Sequence, residues 1–363
     1  MLDIADVLPY LLEHDLVAAR AVVAGSLRIV DRSGRNRVFV VTSNGDRGLV
    51  VKQAGDGDPA GMCHEAAVLE RLRAADRRLT VRLPAPVLFD AAAGILVLEA
   101  AREPQDLRRR HIRGRYSREI AAHVGRTLAL LHATPSAALG DRAGQRGARS
   151  GLRMHRPHIR DAGELTSATI ELVGAIQRSD ELCTALDALH ASPRDDALIH
   201  GDVRWDNVLT GRAWDRTSAR RARVLLLDWE CAGLGDPSQD VGAFLGEYLR
   251  DWMRSIPIVD LDDPGRLIAS AGRPLARMRP AIGAFWHAYR DGGDGGERDG
   301  PVLRRAAQFA AVRVLAAAYE ESLTRNVLSG SAHFALQLST NILRRPDQAI
   351  THLLGLSATW SAR

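Results

Sequence analysis

Lysine is nearly missing from this chain. Of its 49 basic residues only Lys52 is a lysine, and the other 48 are arginines. A coding preference that turns Lys into Arg wherever charge alone matters accounts for such a skew. It leaves Lys52 as the place where a compact ammonium on a flexible stem is needed and a planar guanidinium does not serve. Cysteine is scarce too: Cys63, Cys183 and Cys231 are widely spaced and form no C-x-x-C pair. That excludes a disulfide framework and a structural zinc site. No apolar run reaches the roughly 18 residues of a membrane span. The start, Met1-Leu2-Asp3-Ile4-Ala5-Asp6, carries acids where a targeting peptide carries bases, so a cytoplasmic chain is expected. What is present is ordinary globular material, 46% hydrophobic and 26% charged over 363 residues. Disorder, collagen and coiled coil are excluded, and the length suits roughly two domains or one bilobal unit.

Lys52 ends the β-branched run Gly48-Leu49-Val50-Val51-Lys52. Arg37-Val38-Phe39-Val40-Val41 precedes it, and Asn44-Gly45 between them predicts a hairpin turn. Downstream, His64 to Leu72 has helical periodicity, with Glu65 near its start. Glu65 can reach a neighbouring strand, whereas Glu70 lies about 140° round the helix and is expected to be solvated.

The second cluster is more specific. Ile199-His200-Gly201-Asp202-Val203-Arg204-Trp205-Asp206-Asn207 sits between two short apolar runs, and Arg223-Val224-Leu225-Leu226-Leu227-Asp228 reads as a buried strand ending in a carboxylate. A loop carboxylate can orient a hydroxyl or accept its proton. An amide oxygen five residues on, with a second carboxylate at a strand end, can share Mg²⁺ with a nucleotide. D-x-x-x-x-N alone means little, since both residues populate turns. The ordered series Lys, Glu, His-Gly-Asp, Asn, strand-Asp is what phosphoryl transfer requires.

That series resembles the aminoglycoside phosphotransferase and choline kinase branch of the protein-kinase-like fold, over roughly residues 20 to 330. The resemblance implies ATP or GTP and Mg²⁺ as cofactors. It makes Asp202 the catalytic base, Asn207 and Asp228 the metal ligands, Lys52 the partner of the α/β-phosphates and Glu65 the residue that holds Lys52. His200 and Asp240, the latter in Gly235-Asp236-Pro237-Ser238-Gln239-Asp240, become structural braces of the loop. No G-x-G-x-x-G precedes the first strand pair, so Ser33-Gly34-Arg35-Asn36 is expected to cover the phosphates. Backbone groups of Glu99 and Ala101 are expected to take the base.

The order of patterns predicts an α+β, bilobal architecture. A small β-rich N-lobe would occupy residues 1–100, and a large helical C-lobe 101–363 would carry the catalytic loop 198–209 and the metal-binding segment 223–230. Helical patterns run over 116–132, 161–178, 180–190, 238–255, 275–290, 301–325 and 331–354, with a polar loop over 291–300.

Charge bears on the acceptor. Residues 101–160 hold 14 Arg against four acids, a balance of +10 in a chain of +5. Arg102, Arg108, Arg109, Arg110, Arg113, Arg115 and Arg118 open this block. Such a neighbourhood disfavours a polycation and suits an acidic or phosphorylated partner. Nucleic acid is not expected, because interleaved aromatics and a binding motif are lacking. The wording around Arg204-Trp205, Asp228-Trp229-Glu230 and Tyr248 to Pro257 is similar to the kinase component of class V lanthipeptide and thioamitide synthetases. That narrower resemblance implies phosphorylation of Ser/Thr in a precursor peptide, with a separate lyase subunit as partner, and makes Arg108, Arg109, Arg110, Arg204 and Trp205 substrate contacts. A small-molecule kinase of the same fold and an inactive scaffold are the alternatives. Retention of Lys52, Glu65, Asp202, Asn207 and Asp228 argues against the scaffold.

Overall fold

The structure is a computed structural model. It describes residues 1–43, 48–55, 59–101, 104–144, 150–157, 165–192, 194, 197–211, 224–257, 264–293 and 299–357. The predicted Asn44-Gly45 turn, Arg102 and residues 294–298 of the 291–300 loop lie outside that set.

Five short strands rich in Val, Ile and Leu form an antiparallel sheet: β1 (Leu27–Asp31), β2 (Arg37–Ser43), β3 (Leu49–Gln53), β4 (Pro86–Asp90) and β5 (Ile95–Glu99), in the order β1-β2-β3-β5-β4. Alternation along the strands decides what each face does. Phe39, Val41, Leu49, Val51, Ile95 and Val97 bury one face beneath Val7 and Leu11 of the Val7–Glu13 helix. On the other face the register sets Lys52 opposite Val38 and Leu96, and Val50 opposite Val40 and Leu98. A charged residue at the end of a β-branched run thus shares a face with an apolar shelf. The Ala60–Ala75 helix packs on β4 and β5, burying Met62, Leu69 and Leu72; Glu65 falls on the same stripe and is wholly buried with them. Glu70 faces solvent, as its angle requires.

Beyond β5 the chain is mainly helical. The Arg118–His132 helix buries Ile120, Ala121, Val124, Leu128 and Leu131, the predicted apolar positions, and packs on Leu275–Asp291. Pro237–Met253 lies against Asp299–Ser322, which in turn contacts Gly330–Arg344. Two small sheets complete the active-site side. One pairs β7 (Ala197–Ile199) with β10 (Gly233–Gly235). The other joins β6 (Pro104–Asp106), β8 (Val208–Gly211) and β9 (Val224–Leu226). The architecture is the expected α+β fold, with an antiparallel N-terminal sheet and a larger helical part.

The structure corrects several element boundaries. The helix predicted over 331–354 is interrupted after Arg344, because Pro346 cannot continue it; a short Pro346–Ala349 helix and a π-helical turn over Ile350–Leu354 follow. Among the described residues of the 161–178 pattern, the helix runs from Ser167 to Gln177. Val7–Glu13 and Leu107–His111 form helices that the patterns did not foretell.

Candidate active site

Between the sheet and the helical part lies a cleft of about 710 Å³, large enough for a nucleotide. Its apolar walls come from Val38, Val40, Val50 and Leu98 on one side and Leu209, Leu225 and Leu227 on the other. Glu99 and Ala101 line it at the junction, where the resemblance placed the base-binding backbone.

Lys52 is the electrostatic centre. Its Nζ is 2.5 Å from Glu65 Oε2 and 3.0 Å from Asp228 Oδ1. Burial disfavours the ammonium, but the two carboxylates outweigh it and hold the Lys52 pKa above its ordinary value. Burial pushes the Glu65 carboxyl up, against the pull of Lys52. Burial also works against ionisation of Asp228, yet Lys52, with Arg204 nearby, keeps its pKa below the usual carboxylate range. Glu65 spends its other oxygen on the Trp229 N–H at 3.3 Å, so one buried carboxylate ties the strand lysine to the segment carrying Asp228. Asp228 itself has φ 68°, a left-handed backbone that is uncommon outside glycine and enriched for Asp and Asn.

The loop between β7 and β8 presents Asp202 and Asn207. Asn207 Nδ2 donates to the Asp202 carbonyl at 2.9 Å and to Asp202 Oδ2 at 3.0 Å, leaving its Oδ1 to offer a cation. Asp240 Oδ2 accepts the His200 N–H at 2.7 Å and Oδ1 accepts the Gly201 N–H at 2.9 Å, bracing the loop from the start of the next helix. His200 has a fixed tautomer. The Leu227 carbonyl can only accept, so Nε2 donates to it at 2.9 Å, and Nδ1 accepts the Asp202 N–H at 3.2 Å. Gly201 needs its glycine: φ is +80°, and a Cβ there would sit 2.5 Å from the Cys231 carbonyl oxygen.

Other predicted positions fall differently. The Ser33 hydroxyl accepts the Val38 N–H at 3.1 Å and its N–H donates to Asp31, so Ser33 closes the hairpin and does not line the cleft. Gly34, Arg35 and Asn36 line it instead. Trp205 is fully buried against His111, Tyr116 and Tyr248 and cannot meet a substrate. Arg108 is spent on Asp206 at 2.5 Å and on the wholly buried Glu247 at 2.9 Å. Arg110 does not line the cleft, whereas Arg109 and Arg204 do.

Three contributors escaped the sequence reading. His132 Nε2 lies 3.1 Å from Asp240 Oδ2. Glu230 accepts from Asn36 at 3.0 Å across the cleft. Glu320, from the far end of the Asp299–Ser322 helix, also lines the cleft. Each pairing spans a long stretch of sequence, and no local spacing marks it. Cys231 borders the cleft as well, but burial first, then Asp202, Glu230 and Asp228, push its thiol up to about 12. It is an inert thiol rather than a nucleophile.

Among the described residues no group of three His, Cys, Asp or Glu could hold a metal unaided. One or two carboxylates plus an amide oxygen, completed by phosphates, is nonetheless the donor set Mg²⁺ takes in nucleotide sites. Asp228 and Asn207 fit that chemistry.

The phosphotransferase enzyme family (APH) matches residues 26–280, about 70% of the chain, and the chain belongs to that family. It is 35% identical over 80 residues to viomycin phosphotransferase of Streptomyces vinaceus. That stretch is 21% of this chain and 25% of the relative, so the chain spans about a quarter of that protein's length. Among solved structures it is similar to the GDP complex of an aminoglycoside 2'-phosphotransferase-IIIa mutant, with TM-score 0.53 and 14% identity, covering 93% of this chain and 95% of that one. A choline kinase from Streptococcus pneumoniae aligns with TM-score 0.47 and 14% identity, over 92% and 99% of the two chains. At such identity the first of these likenesses is one of fold.

Proposed function

We propose that this chain transfers the terminal phosphoryl group of a Mg²⁺-bound nucleoside triphosphate, ATP or GTP, to a hydroxyl, and that it acts in the cytoplasm. One observation carries the reading: a single buried lysine bridges Glu65 and Asp228 in the cleft that also holds Asp202 and Asn207. Lys52 offers its charge to the α/β-phosphates, and Glu65 fixes where that charge sits. Asp228 and Asn207 would hold the cation, which supplies neutralisation of phosphate charge. Asp202 orients the acceptor hydroxyl and takes its proton as the O–P bond forms. The nucleoside diphosphate leaves with the electrons of the broken bond.

The acceptor best supported is a small alcohol. Of the arginines that pointed to an acidic peptide, Arg108 is spent as described, and Arg109, though exposed, pairs with Asp106 at 3.2 Å. The matched relatives bear the names of small-molecule kinases. A second reading, Ser/Thr of a precursor peptide with phosphate eliminated by a separate lyase, draws on exposed Arg109, Arg113, Arg115 and Arg118. A mass-spectrometric screen with Mg·ATP and Mg·GTP, seeking a gain of about 80 Da, tests both. Label on amino alcohols, sugars or aminoglycosides supports the first; label on Ser/Thr peptides alone overturns it in favour of the second. Nucleotide binding without transfer to any acceptor, or to water, would return the chain to the scaffold class.

A further inference from the structure

The two oxygens of Asp202 are unequal. Asn207 Nδ2 reaches Oδ2 at 3.0 Å, and the Arg204 guanidinium reaches the same oxygen at 2.9 Å. Two donors on one oxygen fix the plane of the carboxylate and leave Oδ1 as the oxygen for an incoming hydroxyl. Asn207 is committed to the cation as well, so the arginine is the holder with no other duty at the reacting atoms.

Arg204 is itself held. Its other terminal nitrogen lies 3.7 Å from Glu320 Oε1, and that oxygen accepts from Arg313 at 2.9 Å. Arg313 donates in turn to Glu247 at 2.8 Å. Glu247 is wholly buried, where Arg108 and Arg250 also meet it, and its carboxylate is kept ionised against burial by these guanidinia. Alternating charges therefore run from the packed helices to the catalytic loop. A lone contact between residues two apart on a loop has soft geometry and is worth little. A planar fork with a 2.9 Å contact at one end and a looser 3.7 Å ion pair at the other has fewer orientations open to it than the lone contact would leave.

We infer that Arg204 is a positioning residue for Asp202, anchored by Glu320. This rests on the reading of Asp202 as the acceptor of the hydroxyl proton. The requirement is geometric, since a misplacement of about 1 Å can cost about 100-fold in rate.

Slow hydrolysis of Mg·ATP, with water as acceptor, measures the effect without knowing the natural substrate. Arg204→Met is expected to lower kcat by about 10- to 100-fold while KM for ATP stays within about two-fold. Arg204→Lys keeps the charge without the fork and is expected to recover only part of the loss. Glu320→Gln leaves the loop untouched and is expected to cost about three-fold. Combined with Arg204→Met it should add nothing, because the carboxylate acts only through the arginine. An unchanged kcat in Arg204→Met overturns the inference, as does faster hydrolysis, which would make the guanidinium a cap on the base. Crystal structures of the wild-type protein and Arg204→Met pose the question without turnover. The Asp202 side chain is expected to leave its orientation in the variant, and an unmoved Asp202 overturns the inference even if the wild-type protein hydrolyses nothing. Absent wild-type hydrolysis and absent nucleotide binding would instead count against the proposed function.

Discussion

Lys52 holds its place through two contacts that differ in what they do. The bond to Glu65 is buried on both sides, whereas Asp228 keeps 27% of its side chain exposed to the cleft. A guanidinium at position 52 is wider and planar, and the 2.5 Å contact with a fully buried carboxylate leaves it no room. Lys52→Arg is therefore expected to lose transfer about as completely as Lys52→Ala, each by roughly 100-fold or more. Steady-state kinetics of the two variants check it; an active Lys52→Arg enzyme would remove the argument from lysine scarcity. Asp228 calls for a gentler probe than alanine. Asn tolerates the left-handed backbone seen there, so Asp228→Asn is expected to melt near the wild-type temperature while Mg·nucleotide affinity falls. Calorimetric titration with and without Mg²⁺ reads the second effect; affinity equal to wild type would remove Asp228 from the cation site. At this scale the sequence was informative where chemistry is tied to local spacing. Lys52 stood out by rarity, and Asp202 and Asn207 by their place in the ordered series with Lys52, Glu65 and Asp228. Glu230, 194 residues from Asn36, offered no such mark.

Elements were legible where one period persisted. Arg118–His132 shows its buried stripe in the sequence, and so do the strands facing Val7 and Leu11. Leu107–His111 was hidden because three arginines interrupt any apolar period, although Leu107 and His111 are both buried. His111 is the consequence worth testing. It packs edge-on to Trp205 with ring centroids 4.4 Å apart, and neither ring nitrogen has a hydrogen-bond partner. Burial, with Arg110 adding repulsion, pushes its pKa from 6.5 down to about 3. Below pH 6.5 the unfolded chain binds a proton here that the folded chain refuses. This contribution is complete above that pH and is lost as pH falls towards 3. His111→Phe keeps the ring, removes two orphaned nitrogens and deletes the titration. Urea unfolding at about pH 7 and about pH 4 is expected to show its stability falling less steeply than wild type, by up to about 1.4 kcal/mol per pH unit. Parallel slopes for the two proteins would place the acid sensitivity elsewhere.

At the scale of the whole molecule, one apolar core joins the sheet and its helix to the helical part, and polar contacts cross the cleft beside it. Lys52–Asp228 and the His64 ring on the Ala232 carbonyl, at 2.7 Å, lie at the back. At the front, the β1–β2 turn reaches over to Glu230 through Asn36 at 3.0 Å and Arg35 at 3.7 Å. This turn carries no G-x-G-x-x-G, and the long-range contact supplies what the loop's own composition does not. It also depends on Gly55, where a Cβ would meet the Arg35 carbonyl at 1.8 Å. Glu230→Ala should free the turn without disturbing either core, since Arg35 is 81% exposed and its ion pair adds little to folding. The expected result is a melting temperature close to wild type and a several-fold weaker affinity for Mg·nucleotide. Salt separates the two links. The Arg35 attraction is screened over a Debye length of about 8 Å at physiological ionic strength, whereas the Asn36 hydrogen bond is not. Asn36→Ala is therefore expected to weaken nucleotide binding at low and high salt alike, and Arg35→Ala chiefly at low salt. Nucleotide affinity unmoved by all three substitutions would mean that the turn contributes nothing to holding the phosphates.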